Sequence, residues 1–416
     1  MIRVAVIGAG PAGMMAAMKA AEGGASVKLI EKMDRPGRKM RITGKGRCNV
    51  TNASDLQEII KNIQGNGKFL MSSLHAFNNH DVMHFFEDCG VPLKVERGNR
   101  VFPVSDRAQD AVNALVMRLH ELGVDIETGI QVSGIVTSKR EGGGRRVIAV
   151  RLASGREIAA DAIIVATGGA SYPATGSTGD GYRIAESLGH TITEITPALV
   201  PLETEEQLPL QGLSLKNVAV TLFANGKEVE HRFGEMMFTH FGVTGPVILS
   251  ISRTAAKALA HHEDVELRID MKPALSHEKL DARLQRDFQK YIRKTLKNAM
   301  MDLLPHRMIE TVIDLAFLDP DMPVHQLSKK DRMRLVDTLK CISLTVTKTR
   351  PIAEAIVTAG GVSVKEINPK TMESKLVHGL YFAGEVVDVD GYTGGYNLQA
   401  AFSMGAAAGR YAADGR

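Results

Sequence analysis

An apolar run from Ile2 to Ile7 meets the turn Gly8-Ala9-Gly10-Pro11-Ala12-Gly13, and a helical stretch to about Glu22 follows. Ser26 to Ile30 is a second buried-strand pattern, closed by Glu31. A bare G-x-G-x-x-G arises easily by chance. Between a strand and a helix it has a physical job: the glycines permit a tight turn and let a pyrophosphate approach helix-terminal N–H groups. An acid at the end of the second strand accepts hydrogen bonds from a ribose diol, and its charge repels a 2′-phosphate. The β-turn-α-β opening therefore predicts an α/β fold that seats the adenosine half of a dinucleotide. The residues expected to hold it are Gly8, Gly10, Pro11, Ala12, Gly13 and Glu31, with Lys32 alongside.

Periodicity organises the rest. Asn52 to about Gly123 reads as mostly helical, clearest in the amphipathic Asp106 to Leu122. Val124 to Ile135 and Val147 to Leu152 read as strands, joined as a hairpin through Gly142-Gly143-Gly144, and Asp161 to Ala166 is a further apolar strand. Near Pro197 the pattern changes. Val218 to Ala224 and Lys227 to Phe233 flank the tight-turn pair Asn225-Gly226, and Val265 to Ile269 is another strand. Ser276 to Leu304 and Ser328 to Cys341 read as helices, the second opening with the Ser328-x-x-Asp331 cap. Around Pro351 the first texture returns. The division expected is a first part of one domain over 1–193, an insertion over 194–349 with helices at about 276–341, and the second part over 350–416.

Composition narrows the function. The chain has 416 residues with 51 Lys+Arg against 47 Asp+Glu, a formal charge of +4 that is small for nucleic-acid binding. Trp is absent and aromatics are 5%, so base-stacking platforms are poorly supplied. Cys48, Cys89 and Cys341 are odd in number and widely spaced, which suits a reducing cytoplasm. No apolar run reaches the roughly 18 residues a spanning helix needs, so no membrane partner is expected.

The choice between NAD and FAD is made elsewhere in the chain. Gly37 to Asn52 is dense in small, cationic and amide groups and can wrap a phosphate and line an isoalloxazine edge. The strand Leu380-Tyr-Phe-Ala-Gly384-Glu385 ends in Gly-acid, suited to a ribityl hydroxyl. Gly394-Gly-Tyr-Asn-Leu-Gln399 then opens a helix of Ala, Gly and Ser whose N-terminal dipole stabilises negative charge on a reduced ring. That helix can also serve simply to pack closely on a neighbour.

With these pieces in hand, the sequence resembles the NAD(P)/FAD-dependent oxidoreductase flavoproteins that include aminoacetone oxidase and bile-acid 4,6-reductase members. The likeness runs nearly end to end, through Gly8 to Gly13, Ile42-Thr-Gly-Lys-Gly-Arg-Cys-Asn-Val-Thr-Asn52, Ala166-Thr-Gly-Gly169, Phe238 to Pro246, Thr358 to Val362, Ala383 to Glu385 and Gly394 to Leu398. It implies non-covalent FAD in a Rossmann-like doubly wound domain, with an inserted β-barrel plus helical domain. It also implies that Val132 offers its backbone to adenine, that Arg38 and Lys39 lie near the pyrophosphate, and that Asn397 and Leu398 approach the flavin. The remaining cofactor residues expected in those motifs are Thr43, Gly44, Gly46, Arg47, Cys48, Asn49, Thr167, Gly168, Gly169, Gly384, Glu385, Gly395 and Gln399.

A more distant likeness is to fumarate reductase flavoproteins, through Gly176 to Gly181 and Thr358 to Val362. Tyr392-Thr393 stand before Gly394-Gly395 where that family has an arginine, which disfavours a dicarboxylate substrate. The first histidine is His75, so an N-terminal histidyl-flavin link is not expected. There is no second strand-G-x-G-x-x-G-helix unit and no C-x-x-C, so NAD(P)H, if it is the donor, docks transiently. His261-His262 lack metal spacing and no metal is expected. His240 is a candidate proton donor with a hydrogen-bonded loop histidine as its alternative, Tyr392 is a weaker catalytic candidate, as a lid or substrate residue, with packing as its alternative, and Cys48 without a partner cysteine fits packing. The expectation is hydride transfer between a small organic substrate and FAD. Oxygen-using amine oxidation is the alternative, and a flavin-bound sensor or RNA-associated protein is the rival from another class.

Overall fold

The strand Arg3–Ile7 (β1) is buried over four of its five residues because its Val-Ala-Val-Ile run is apolar towards both faces. The computed structural model describes residues 1–140 and 143–415. After β1 come the helix Pro11–Glu22 (α1), the strand Ser26–Glu31 (β2) and the short helical segment Arg38–Gly46 (α2). Strands Asp125–Thr128 (β3) and Ala162–Val165 (β4), helix Asp180–Ser187 (α3), strand Leu380–Phe382 (β5) and helix Tyr396–Asp414 (α4) complete the frame. All five strands are parallel in the order β5-β4-β1-β2-β3. Their carboxyl ends therefore lie along one edge, where open α/β sheets bind ligands.

Helices α1 and α4 touch through small residues. A Cβ on Gly405 would lie 2.3 Å from the Ala12 carbonyl oxygen, and one on Gly409 would lie 2.1 Å from that of Ala16. The small-residue composition of α4 is thus spent on close packing against the helix that opens at the glycine turn.

The chain divides into two compact units, Met1–Thr196 with Ile352–Arg416, and Pro197–Pro351. The second unit has its own core, centred on Val220, Leu222, Leu267 and Leu344. Six antiparallel strands close a barrel there in the order Leu202–Thr204, Gly242–Thr244, Lys227–Phe238, Ser214–Ala224, Val265–Asp270 and Ile342–Thr349. Asn225 (φ 48°) and Gly226 (φ 73°) form the expected turn, since two positive φ values match the strand twist. The Ser328–Asp331 capping box is present at the start of Lys329–Lys340.

Three local expectations are corrected. Residues 52–123 contain, besides four α-helices, the hairpin Leu93–Glu96 with Arg100–Pro103. Its Leu-Lys-Val-Glu alternation and Gly98-Asn99 turn are strand signals lost inside a helical window. The reading of Val124 to Ile135 as one strand fails at Gly129 (φ 72°), which separates β3 from Val132–Lys139. The helix expected over Ser276 to Leu304 stops at Lys290, and His306–Leu315 is a further helix. Of the Gly142-Gly143-Gly144 turn, Gly142 lies outside the described residues, and the flanking strands Val132–Lys139 and Arg145–Leu152 pair antiparallel.

Candidate cofactor site

The turn after β1 is built around two glycines in contact. A Cβ on Gly13 would sit 1.8 Å from the Gly8 carbonyl oxygen, so no other residue fits there without moving the turn. At Gly10 a Cβ would meet no heavy atom within 4 Å. Gly10 caps α1 without any side-chain acceptor, Pro11 follows at the first helical position, and the first turn carries no acid. The N–H groups of that turn keep their positive end of the helix dipole uncapped by any side chain, which suits an anionic phosphate.

Glu31 stands at the end of the neighbouring strand. Its Oε2 accepts from the Ala9 N–H at 2.7 Å and its Oε1 from the Met33 N–H at 2.9 Å. Both donors are backbone groups, so each oxygen retains acceptor capacity for a diol. The loop that leads to Val132 runs beside it: the Ile130 N–H donates to the Glu31 carbonyl at 3.0 Å and the Gly129 N–H to that of Met33 at 2.9 Å. Lys32 turns elsewhere, to Asp180 at 2.5 Å and to the Thr178 hydroxyl, tying β2 to the start of α3.

At the end of β5 the arrangement differs. Glu385 takes the Lys39 ammonium on Oε2 at 2.7 Å, and the Thr358 N–H at 2.8 Å and the Ser171 hydroxyl at 3.1 Å on Oε1. Lys39 also donates to Ser171 Oγ at 2.6 Å. The Thr358 hydroxyl accepts from the Ala170 and Ser171 N–H groups at 2.9 and 3.2 Å. Burial works against ionisation of Glu385, but the adjacent Lys39 charge and these donors hold its carboxyl below the ordinary range. Four chain segments meet on this one carboxylate. Ser171 was missed in the sequence, as was Thr358 in this bracing role, because their partners lie far along the chain.

The Gly37 to Asn52 segment mixes ligand-facing and structural groups. Thr43, Gly44 and Lys45 leave helical geometry in the middle of α2. The Thr43 hydroxyl bonds the Met40 carbonyl at 2.7 Å, and Gly44 lies against Phe102 and the Asn49 backbone. Among the described residues Arg38 pairs with Asp34, at 3.5 Å. Arg41, not singled out in the sequence, has a buried Nε with no hydrogen-bond partner among the described residues, and burial together with Arg35 lowers its pKa. Arg47 is held by the 93–106 region. It pairs with Glu96 at 2.6 Å and Asp106 at 2.9 Å and stacks over Phe102 at 4.0 Å, so it anchors the 93–103 hairpin. The Asn49 side chain accepts from the Val101 N–H at 3.1 Å, close to the same hairpin. Gly46 has open space around it. Cys48 is fully buried and burial pushes its thiol up to about 12, which makes it a packing residue.

After β4, Thr167 carries a buried hydroxyl with no hydrogen-bond partner among the described residues, and Gly168 adopts a left-handed turn (φ 74°). Gly169 lies directly against Thr358 and Glu385, and Gly384 against Ala12. Gly395 caps α4 against the Thr51 carbonyl. Asn397 clamps its own loop, with Oδ1 accepting from the Gly391 N–H at 2.8 Å and Nδ2 donating to the carbonyls of Gly391 and Tyr392 at 2.8 and 3.2 Å. Leu398 is half-buried against the core. Gln399 is corrected from cofactor contact to core: it is fully buried, accepts from Thr51 at 2.5 Å and donates to Ser403 at 2.9 Å. Tyr392 is partly buried against the first unit's core. His240 belongs to the second unit, exposed on a barrel turn with its ring edge-on to Phe241.

The open Gly10 cradle, the uncapped start of α1, the diol-ready Glu31 and the unpartnered Thr167 hydroxyl fit FAD along the sheet edge. The chain is an FAD-dependent oxidoreductase. Its residues 2–411 match the family described as the HI0933-like protein Rossmann domain, and the chain belongs to that family. It is 32% identical over 100% of both chains to a 3-dehydro-bile acid delta(4,6)-reductase of Clostridium scindens. It is 31% identical to a ribosomal RNA dihydrouridine synthase of Escherichia coli, covering 96% of this chain and 94% of the other. Among solved structures, a 3-ketosteroid delta1-dehydrogenase from Sterolibacterium denitrificans shares the fold at TM-score 0.56 and 15% identity, over 100% of each chain. No helix among the described residues is long and apolar enough to cross a membrane.

Proposed function

We propose that the chain reduces a carbon–carbon double bond conjugated to a carbonyl, using FAD refilled by transient NAD(P)H. The observation that carries this reading is the pair of near full-length relatives at 32% and 31% identity. Their names describe different molecules but one bond change. A 3-oxo steroid with delta(4,6) unsaturation and a uracil ring both present C=C next to C=O, and in both the product is the saturated bond. Hydride adds to the carbon β to the carbonyl, the π electrons move towards oxygen, and a proton closes the α-carbon.

Bound FAD supplies the hydride chemistry. The chain's own part is to hold it: the α1 N-terminus and Gly10 take the pyrophosphate, Glu31 the adenosine ribose, and Lys39 with Glu385 fixes the strand ends around the flavin half. Tyr392 and His240 are the proton-donor candidates. A phenol or imidazole placed at the α-carbon accelerates such a step by about 10²–10⁴. No observation favours amine oxidation, since neither relative's name describes it. We place the reaction in the cytoplasm, where three unpaired thiols stay reduced.

The test is anaerobic. Photoreduced holoenzyme is mixed in turn with a 3-oxo-Δ4 steroid, uridine-containing RNA and a panel of amines. Return of the oxidised flavin spectrum with either of the first two, and a product gaining two hydrogens, is the expected result. Reduction of oxidised enzyme by amines, with no response to the unsaturated carbonyl compounds, would overturn it.

A further inference from the structure

We propose that His190 closes a latch, opened by acid, on the strand that leads to Glu385. The inference depends on bound FAD and not on which substrate the flavin reduces. His190 follows α3 and is buried, at 3% exposure. Its Nε2 stands 2.9 Å from the Ser374 hydroxyl and its Nδ1 3.2 Å from Glu366 Oε2. Its ring meets that of Phe382, in β5, edge-on at 4.9 Å. All of these residues belong to the first unit.

Counting donors and acceptors fixes the proton. A serine hydroxyl has one proton and two acceptor positions. Ser374 Oγ accepts from the Leu376 N–H at 3.0 Å and from the Val377 N–H at 2.9 Å, which fills both. Its own proton is therefore directed at His190 Nε2, which must carry no proton to accept it. The proton of the neutral ring then lies on Nδ1 and is donated to Glu366. Glu366 is itself held by the Thr191 N–H at 2.8 Å and the Thr191 hydroxyl at 2.7 Å. The network thus admits a neutral ring in the Nδ1–H form. A proton added at Nε2 sets two donors head to head, and Ser374 has no lone pair left to receive it.

Burial, the larger influence, and Arg145 oppose the imidazolium, while Glu366 favours it, and the balance takes His190 below its ordinary 6.5. Arg145 is anchored on the Leu188 carbonyl. The charged residues beside Ser374 turn elsewhere, Glu373 to the Gly379 N–H and His378, and Lys375 to the Lys365 carbonyl. With the folded-state value depressed, the stabilisation is present in full above the unfolded value near 6.5. It is lost as pH falls from there through the folded value.

The latch bears on the cofactor through what it holds. The Ser374 N–H donates to the Leu380 carbonyl at 2.7 Å and the Phe382 N–H to the Met372 carbonyl at 3.0 Å, so residues 372–374 run beside β5. Glu385 lies just beyond that strand. On the other flank the Ser363 N–H donates to the Thr191 carbonyl at 3.0 Å, and the Gly361 N–H to the Thr193 hydroxyl at 3.0 Å. These bonds tie the turn after α3 to the loop whose Thr358 meets Glu385. One protonation therefore loosens both supports of the Glu385 joint.

The experiment follows FAD release and melting temperature of holoprotein from about pH 7 to about pH 5, the range in which an imidazole changes charge. It compares the wild type with His190→Gln and Ser374→Ala. Glutamine offers Ser374 an acceptor and does not titrate. The wild type should release FAD faster at the acid end, and its melting temperature should fall there by at least about 2–4 °C more than that of His190→Gln. Ser374→Ala should be less stable at neutral pH and should lose part of the acid-induced drop, whereas a residue that only packs would lower both ends alike. NMR of wild type carrying isotope-labelled histidine should show His190 as a neutral Nδ1–H ring at neutral pH, which decides the proton count even where a variant does not fold. An Nε2–H ring at neutral pH, or the same pH dependence in all three proteins, would overturn the latch.

Discussion

Glu31 and Glu385 stand at the carboxyl ends of two strands of one sheet, and they are built for different work. Glu31 accepts two backbone N–H groups and meets no cation in its hydrogen bonds. Glu385 is gripped by an ammonium, a hydroxyl and a backbone N–H drawn from three other segments. Acceptor capacity is open at the first and largely consumed at the second. The same residue class at the same kind of strand end therefore keeps acceptor capacity open in one case and is a strut in the other. What sets the two apart is the cation: Lys39 makes the Glu385 carboxylate a joint between β5, α2 and the loops at 171 and 358.

The comparison can be broken first at the turn that holds Glu31 through the Ala9 N–H. Gly13→Val should abolish recovery of yellow holoprotein, because the Gly8 carbonyl already stands 1.8 Å from the position of a Cβ. Recovery of flavin-loaded protein at wild-type yield would show that the turn is not the cofactor seat. Next in size is Glu385→Ala. It strips Lys39 of its carboxylate and leaves polar groups under-satisfied, at a cost of about 1.5–3 kcal/mol for a charged hydrogen bond. The melting temperature of the apoprotein should fall, and FAD affinity should drop tenfold to a hundredfold as the crevice loosens. Normal apoprotein stability with weakened FAD binding alone would make Glu385 a direct ligand instead.

A smaller effect sharpens the same point through pH. The folded-state pKa of Glu385 is depressed, so its stabilisation is fully present above the unfolded value, near 4.5. It is lost as pH falls through the lower folded value. The stability gap between wild type and Glu385→Gln should accordingly be constant near neutrality and narrow only below about pH 4.5. Acid denaturation curves of the two apoproteins measure it, and a gap unchanged down to strongly acid pH would contradict the Lys39 pairing.

Legibility in the sequence followed the range of the interactions. The β1-turn-α1-β2 opening was readable because its glycines, strand patterns and terminal acid lie within 31 residues. The Asn225-Gly226 hairpin and the Ser328–Asp331 cap were readable for the same reason. The 93–103 hairpin was hidden because two four-residue strands carry little periodicity beside a 14-residue helix. Arg47 and Gln399 sit among cofactor motifs in sequence, and nothing local reveals Glu96, Asp106 or the buried Thr51 as their partners. Ser171 lies 214 residues from Glu385, a distance at which composition and spacing are silent.

The most direct measurement compares FAD with FMN. FMN lacks the adenosine ribose, so a carboxylate that serves that ribose should distinguish the two. Apoprotein of the wild type and of Glu31→Gln is titrated with each flavin by fluorescence. The account predicts that Glu31→Gln weakens FAD binding by about tenfold, equivalent to about 1.4 kcal/mol, and leaves FMN binding unchanged. An equal loss for both flavins, or no loss for either, would contradict the placement of the adenosine half at the end of β2.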